Sequence, residues 1–207
     1  DFPQAHPYQK PPPRRGFFIG VSWGIIIRME FFKRPLAITD LELTGLDAQI
    51  HEIIELGLLV VDQKTLKVID KFEVKIKPEH IKTAVRKALE ANGYNERDWK
   101  RAWPLKDALE IYAEKTKNAI FLAQNAYSDW AFINEAFKKS AVEDPLDYHR
   151  LDLFSIGWSR RDRFPGLAKF SLSSMCKYFG IEPEPKPHRA MNGAKKNLEV
   201  LRKLLVS

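Results

Sequence analysis

Cysteine is almost absent. Cys176 stands alone in 207 residues. No internal disulfide can form, which removes the small secreted scaffolds that depend on disulfides and points to a reducing cytosol. Long apolar runs are missing too. The stretch "GFFIGVSWGIII" (16–27) is apolar for twelve residues, whereas a membrane-spanning helix needs about 20. Arg14 and Arg15 precede it in the manner of a signal peptide, but no small-residue cleavage site follows. No membrane association is expected. Acidic residues are in deficit, 27 against 34 Lys and Arg, for a net charge of +7. A basic surplus favours polyanionic partners, nucleic acid first. What is plentiful is apolar residues, 44% of the chain, enough for one sizeable globular domain with a real core.

Residues 1–28 differ from the remainder. They hold five of the 13 prolines and +3 of the net charge, with Lys10, Arg14, Arg15 and Arg28 set against Asp1. "QKPPPRRG" has the composition of an extended, unpacked segment. The first methionine is Met29. The expected division is an extension over 1–28 and one domain over 29–207.

From Met29 onwards the pattern is orderly. Three strand-like runs at 34–43, 51–62 and 68–78 are joined by short polar links, which predicts an antiparallel meander. The second run is nearly continuous in apolar residues and reads as buried on both faces. Helical spacing follows at 84–93, 104–117, 128–139, 151–158, 171–180 and 188–205, with a short apolar strand at 119–125. In the last helix Leu198, Leu201 and Leu205 are placed on one side. Strands first, then helices alternating with further strand, predict an α/β fold with a mixed sheet covered by helices.

Within the first strand, "ITDLELTGLD" (38–47) carries Asp40 and Glu42 two positions apart. Residues two apart in a strand project to the same face. Two ionised carboxylates there repel each other, and a divalent cation relieves the repulsion; Mg²⁺ and Mn²⁺ prefer such oxygens. An edge strand turned to water would carry the same pair, so the acids alone leave both readings open.

The context decides between them. "TDLELTGL" resembles the first motif of the DEDDh 3′→5′ exonucleases, a superfamily that includes proofreading subunits, ribonuclease T and oligoribonucleases. "AQNAYSDWAFINEAF" (123–137) is similar to the second, with Asn125 and Asp129 matching and Gln124 where the family has His. "RLDLFSIGW" and "SLSSMCKYFGIE" resemble the helices that follow, and "ALEANGY" a segment of the proofreading branch. The third motif is His, four residues, then Asp. This chain has His188, but Gly193 stands where the Asp is expected. The resemblance runs in order from about residue 34 to 205.

That resemblance implies a ribonuclease H-like fold and two Mg²⁺ or Mn²⁺ ions. It implies that Asp40 bridges both ions, that Glu42 helps hold the one carrying the attacking water, and that Asp129 holds the second. His188 would take the proton from the water, a task suited to imidazole near neutrality. Leu43 and Thr44 would contact the terminal nucleotide, and Asn125 would brace the site. The implied activity is hydrolysis at single-stranded DNA or RNA 3′ ends, weakened by the loss at 193. The alternative is a catalytically degenerate nucleic-acid-binding module of a polymerase or repair assembly. Other features have plainer readings. Arg160, Arg161, Arg163 and Lys169 form a basic loop beside the expected cleft. Trp99 and Trp103 pack a short helix, and Cys176 belongs to the core.

Overall fold

The computed structural model describes residues 31–206. The extension over 1–28 and the expected start at Met29 lie outside them. The polar links at 62–67 and 44–52 let the first three apolar runs fold back on one another. The strands β1 (Leu36–Leu43), β2 (Ile53–Val61) and β3 (Val68–Lys75) form an antiparallel meander. β4 (Ile120–Ala123) then joins β1 in parallel, and β5 (Arg150–Asp152) joins β4 in parallel. The strand order is β3-β2-β1-β4-β5. This is the mixed sheet expected from the sequence. β2 is buried over its whole length, between β1 and β3 and under helices on both faces.

Six α-helices are described: α1 (Arg86–Asn92), α2 (Leu105–Lys115), α3 (Ala126–Ser140), α4 (Leu153–Ser159), α5 (Leu172–Phe179) and α6 (Ala190–Val206). Strand alternation divides the core in two. Ala37, Leu41, Leu58, Val60 and Phe121 pack against Ala108, Leu109 and Tyr112 of α2 and Phe132, Ile133 and Phe137 of α3. Leu36, Ile38, Leu59, Val61 and Leu122 pack on the other face against Met175 of α5 and Ala194, Leu198 and Leu201 of α6. Asp40 and Glu42 continue the Leu36–Ile38 row, so they reach the α6 side of the sheet at its upper end.

Two local features differ from expectation. Residues 150–152 form a strand rather than part of a helix. Three residues are too few to show a period, and Asp152 turns the chain by capping α4, accepting from the N–H groups of Phe154 (3.3 Å) and Ser155 (2.9 Å). On α6, Leu204 is fully buried while Leu205 is 45% exposed, because the buried row runs 198, 201, 204. The basic loop is also partly tied down: Arg160 donates to the Leu204 carbonyl at the far end of α6, and Arg161 lies 4.5 Å from the Trp158 ring centroid. Trp99 and Cys176 are buried as expected, the Trp99 indole donating to the Ile54 carbonyl at 2.8 Å.

Candidate active site

α6 begins hard against the sheet. A Cβ on Gly57 would sit 2.3 Å from the Ala190 carbonyl carbon, so only glycine lets β2 and the start of α6 approach this closely. In the ladder Asp40 lies opposite Gly57, and Glu42 lies opposite Glu55. The same close approach presses α6 onto Asp40. A Cβ on Gly193 would fall 2.1 Å from Asp40 Oδ2 and 2.5 Å from its Cγ. The carboxylate of Asp40 therefore rests over the bare backbone where the family pattern calls for an acidic side chain.

Asp129 comes to this site from the first turn of α3. The acids gathered here hold their protons tightly. Burial, then the charges of Asp129, Glu42, Glu184 and Glu55, raise Asp40 well above the ordinary carboxylate range. Glu42 is pushed up to about 8 by burial, then by Glu184 and Glu55, with Arg189 opposing. Asp129 is pushed up to about 7 by burial, while the N–H groups of Asp129 and Leu41 pull it back. Such a cluster suits a divalent cation, since the donors are hard carboxylate oxygens and Arg189 is the one cation that offsets Glu42 among its main neighbours.

His188 lies just before α6. Its Nδ1 is 2.7 Å from Glu184 Oε2, and its N–H donates to the Ala91 carbonyl at 3.1 Å, which fastens this segment to the end of α1. With Nδ1 engaged, Nε2 is the nitrogen left to work. The next two residues are held by acids as well: the Arg189 N–H donates to Glu184 Oε1 and the Ala190 N–H to Glu55 Oε1, each at 3.1 Å.

The remaining sequence-derived site residues fare differently. Leu43 is half-buried at the end of β1, its carbonyl accepting from the buried amide of Asn92 at 3.0 Å. Thr44 is fully buried. Its hydroxyl accepts from the Glu52 N–H (2.8 Å), its N–H donates to Glu52 O (2.9 Å) and its carbonyl accepts from the Val85 N–H (2.7 Å). These polar groups fasten the β1–β2 turn and α1. Asn125 is exposed at the opening of α3 with a left-handed backbone (φ 55°) and no side-chain bond to that helix. Gln124 donates to the Phe170 carbonyl at 2.9 Å, while its Oε1 is buried without a partner.

Two acids escaped the sequence reading. Glu55 interrupts the apolar run "IIELGLLVV" and is 1% exposed. A lone acid in an otherwise apolar buried strand was the available signal. Glu184 sits in a proline-rich loop with no signal beyond its position four residues before His188. Among the described residues, the one trio whose donor atoms all lie within 4.8 Å of one another is Glu52, Glu79 and His80. It borders a separate cleft of about 590 Å³ between the 48–53 loop, α2 and α3. Glu52 there already accepts the N–H groups of Glu79 and His80 at 2.9 Å each.

The site thus combines a half-buried acid pair at the end of the central strand, a third acid in the first turn of a helix and a histidine ahead of the last helix. Residues 37–201 match the profile of the ribonuclease T-type exonuclease family, and the chain belongs to that family. Among its relatives is the PolC-type DNA polymerase III of Bacillus subtilis, 30% identical over 166 residues, which cover 80% of this chain and 11% of the polymerase. The corresponding polymerase of Listeria welshimeri is 31% identical over 166 residues, again 80% and 11%. The chain thus spans about a tenth of the length of these relatives. Solved structures share the fold. Cell-death related nuclease 4 (CRN-4) has a TM-score of 0.70 at 17% identity, covering 84% of this chain and 64% of that one. The nuclease domain of 3′hExo, a DEDDh family member bound to rAMP, has a TM-score of 0.64 at 19% identity, covering 84% and 93%. E. coli exonuclease I with a dA16 oligonucleotide has 0.69 at 19%, covering 83% and 40%. Among the described residues no helix is long and apolar enough to cross a membrane.

Proposed function

We propose that residues 29–207 form a metal-dependent 3′→5′ exonuclease domain that hydrolyses phosphodiester bonds at single-stranded DNA or RNA ends. The observation that carries this reading is the gathering of Asp40, Glu42 and Asp129 into one site, each raised by burial and Asp40 and Glu42 also by their acidic neighbours. Three protonation-prone carboxylates cost a folded protein stability unless a cation is there to use them. Asp40, Glu42 and Asp129 would hold Mg²⁺ or Mn²⁺, two ions in the full arrangement. Bound there, the cations would supply an activated water and a stabilised leaving oxygen.

The chain's own groups do the rest. His188 accepts the water proton at Nε2, since its Nδ1 faces Glu184. A P–O bond forms to the water oxygen and the bond to the 3′-oxygen breaks, releasing a 5′-mononucleotide. Leu43 offers an apolar contact beside the acids, and Asn125 an exposed amide at the rim. The PolC-type relatives favour a polymerase assembly as its partner, and the single cysteine favours a reducing cytosol as its compartment.

One observation favours a second reading, a nucleic-acid-end binder with little catalysis. Gly193 withholds the fourth carboxylate, and Asp40 leans over the gap. Incubation of end-labelled single-stranded DNA and RNA with Mg²⁺, Mn²⁺ or EDTA, beside Asp40→Ala, separates the two. Metal-dependent shortening that Asp40→Ala abolishes supports the exonuclease. Retention of labelled strands with no shortening supports the binder, and shortening that persists in EDTA contradicts the metal-dependent account.

A further inference from the structure

Glu184 lies in a segment outside any helix or strand, between α5 and α6. Pro185 and Pro187 restrict the backbone between it and His188. Its carboxylate makes two bonds, Oε2 to His188 Nδ1 at 2.7 Å and Oε1 from the Arg189 N–H at 3.1 Å. The side chain is only 17% exposed, against 39% for His188. The segment is further anchored by the His188 N–H on the Ala91 carbonyl and by Arg189, whose guanidinium donates to the Asn92 carbonyl at 2.5 Å. An ionised carboxylate can only accept, so the neutral imidazole facing it must place its proton on Nδ1. Nε2 then carries a lone pair. Glu184 is also close enough to Asp40 and Glu42 for its charge to act on both, so it returns one negative charge to a site that Gly193 leaves short.

We infer that Glu184 is the positioning residue of this site, fixing the ring orientation of His188 and its Nδ1–H tautomer so that Nε2 is the proton acceptor. This rests on the exonuclease reading for its purpose but not for its test. The imidazole tautomer is read by ¹⁵N–¹H NMR on histidine-labelled, metal-free full chain at about pH 8. Wild type, Glu184→Gln, Glu184→Ala and His188→Gln are compared, the last to assign the signal. Wild type is expected to show the Nδ1–H form. Glu184→Gln is expected to shift the ring towards Nε2–H, because its amide can donate to Nδ1. Glu184→Ala should give a mixture, with the amide spectrum outside residues 184–193 unchanged. An Nε2–H ring in wild type, or an unchanged tautomer in folded Glu184→Gln and Glu184→Ala, overturns the inference.

In turnover assays Glu184→Gln should lower kcat by roughly 10- to 100-fold with little change in KM, a fraction of what a general base contributes. It should add nothing in a His188→Gln background, whereas a full additive loss there would overturn action through His188. A wild type without activity counts against the exonuclease reading alone, and the NMR result still decides the role of Glu184.

Discussion

Asp129→Asn should stabilise the metal-free protein, and the gain should depend on pH. Asp129 is lifted from its ordinary 3.8 to about 7. A carboxyl raised in the folded state binds its proton more tightly there than when unfolded. The folded state therefore loses ground as pH rises through the window from about 4 to about 7. At about 1.4 kcal/mol per pH unit the loss reaches on the order of 4 kcal/mol above pH 7. Asparagine keeps the shape and an acceptor oxygen for the N–H groups of Asp129 and Leu41 but removes the ionisation. Asp40 stands beside it and takes up part of the relief, so the expected gain is on the order of 2–4 kcal/mol at pH 8 and about a third of that at pH 5. For a domain of this size that is an increase in Tm on the order of 5–15 °C at pH 8. Thermal unfolding in EDTA at the two pH values measures it, and saturating Mn²⁺ should reverse the ranking by stabilising wild type alone. No gain at pH 8, or an equal gain at both pH values, would refute the reasoning that burial strains this carboxyl.

Position 193 gives a second prediction. A methyl group there meets Asp40 Oδ2 at 2.1 Å. Overpacking by about 1–3 kcal/mol is offset by about 1 kcal/mol of helix propensity, so Gly193→Ala should lose up to about 2 kcal/mol in thermal unfolding. Gly193→Asp adds a further like charge. It should be less stable than Gly193→Ala in EDTA at pH 8, yet gain more than wild type from Mn²⁺ once Asp40 has swung aside, as a thermal shift with and without the ion would show. Glu55→Ala leaves the Ala190 N–H without its partner and empties a buried site, for a loss of about 2–3 kcal/mol, whereas Glu55→Gln keeps the acceptor and should lose little; denaturant midpoints separate the two.

The parts of this site that were legible in the sequence are those set by local spacing. Asp40 and Glu42 share a face because a strand has a period of two, whereas Asp129 was legible only through the resemblance of its segment to the second exonuclease motif. The meander was legible because polar links of six to nine residues separate strongly apolar runs. What was not legible depends on contacts far apart in the chain. Glu55 acquires its role from Ala190, 135 residues away. The burial of Thr44 comes from Glu52 and Val85, which bond to it from eight and 41 residues further along the chain. The consequence of Gly193 is not simply a missing ligand: the close approach of α6 lets Asp40 fill the space. β5 escaped because three residues need β4 beside them to be a strand at all.

The central claim is directional, metal-dependent removal of nucleotides by the Asp40 site. A 5′-labelled single-stranded oligonucleotide, incubated with Mn²⁺ and resolved at single-nucleotide spacing, tests it most directly. The account predicts a ladder that shortens one nucleotide at a time from the 3′ end with wild type, and intact substrate with Asp40→Asn or EDTA. Immediate release of labelled mononucleotide, or an unchanged ladder with Asp40→Asn, would contradict it.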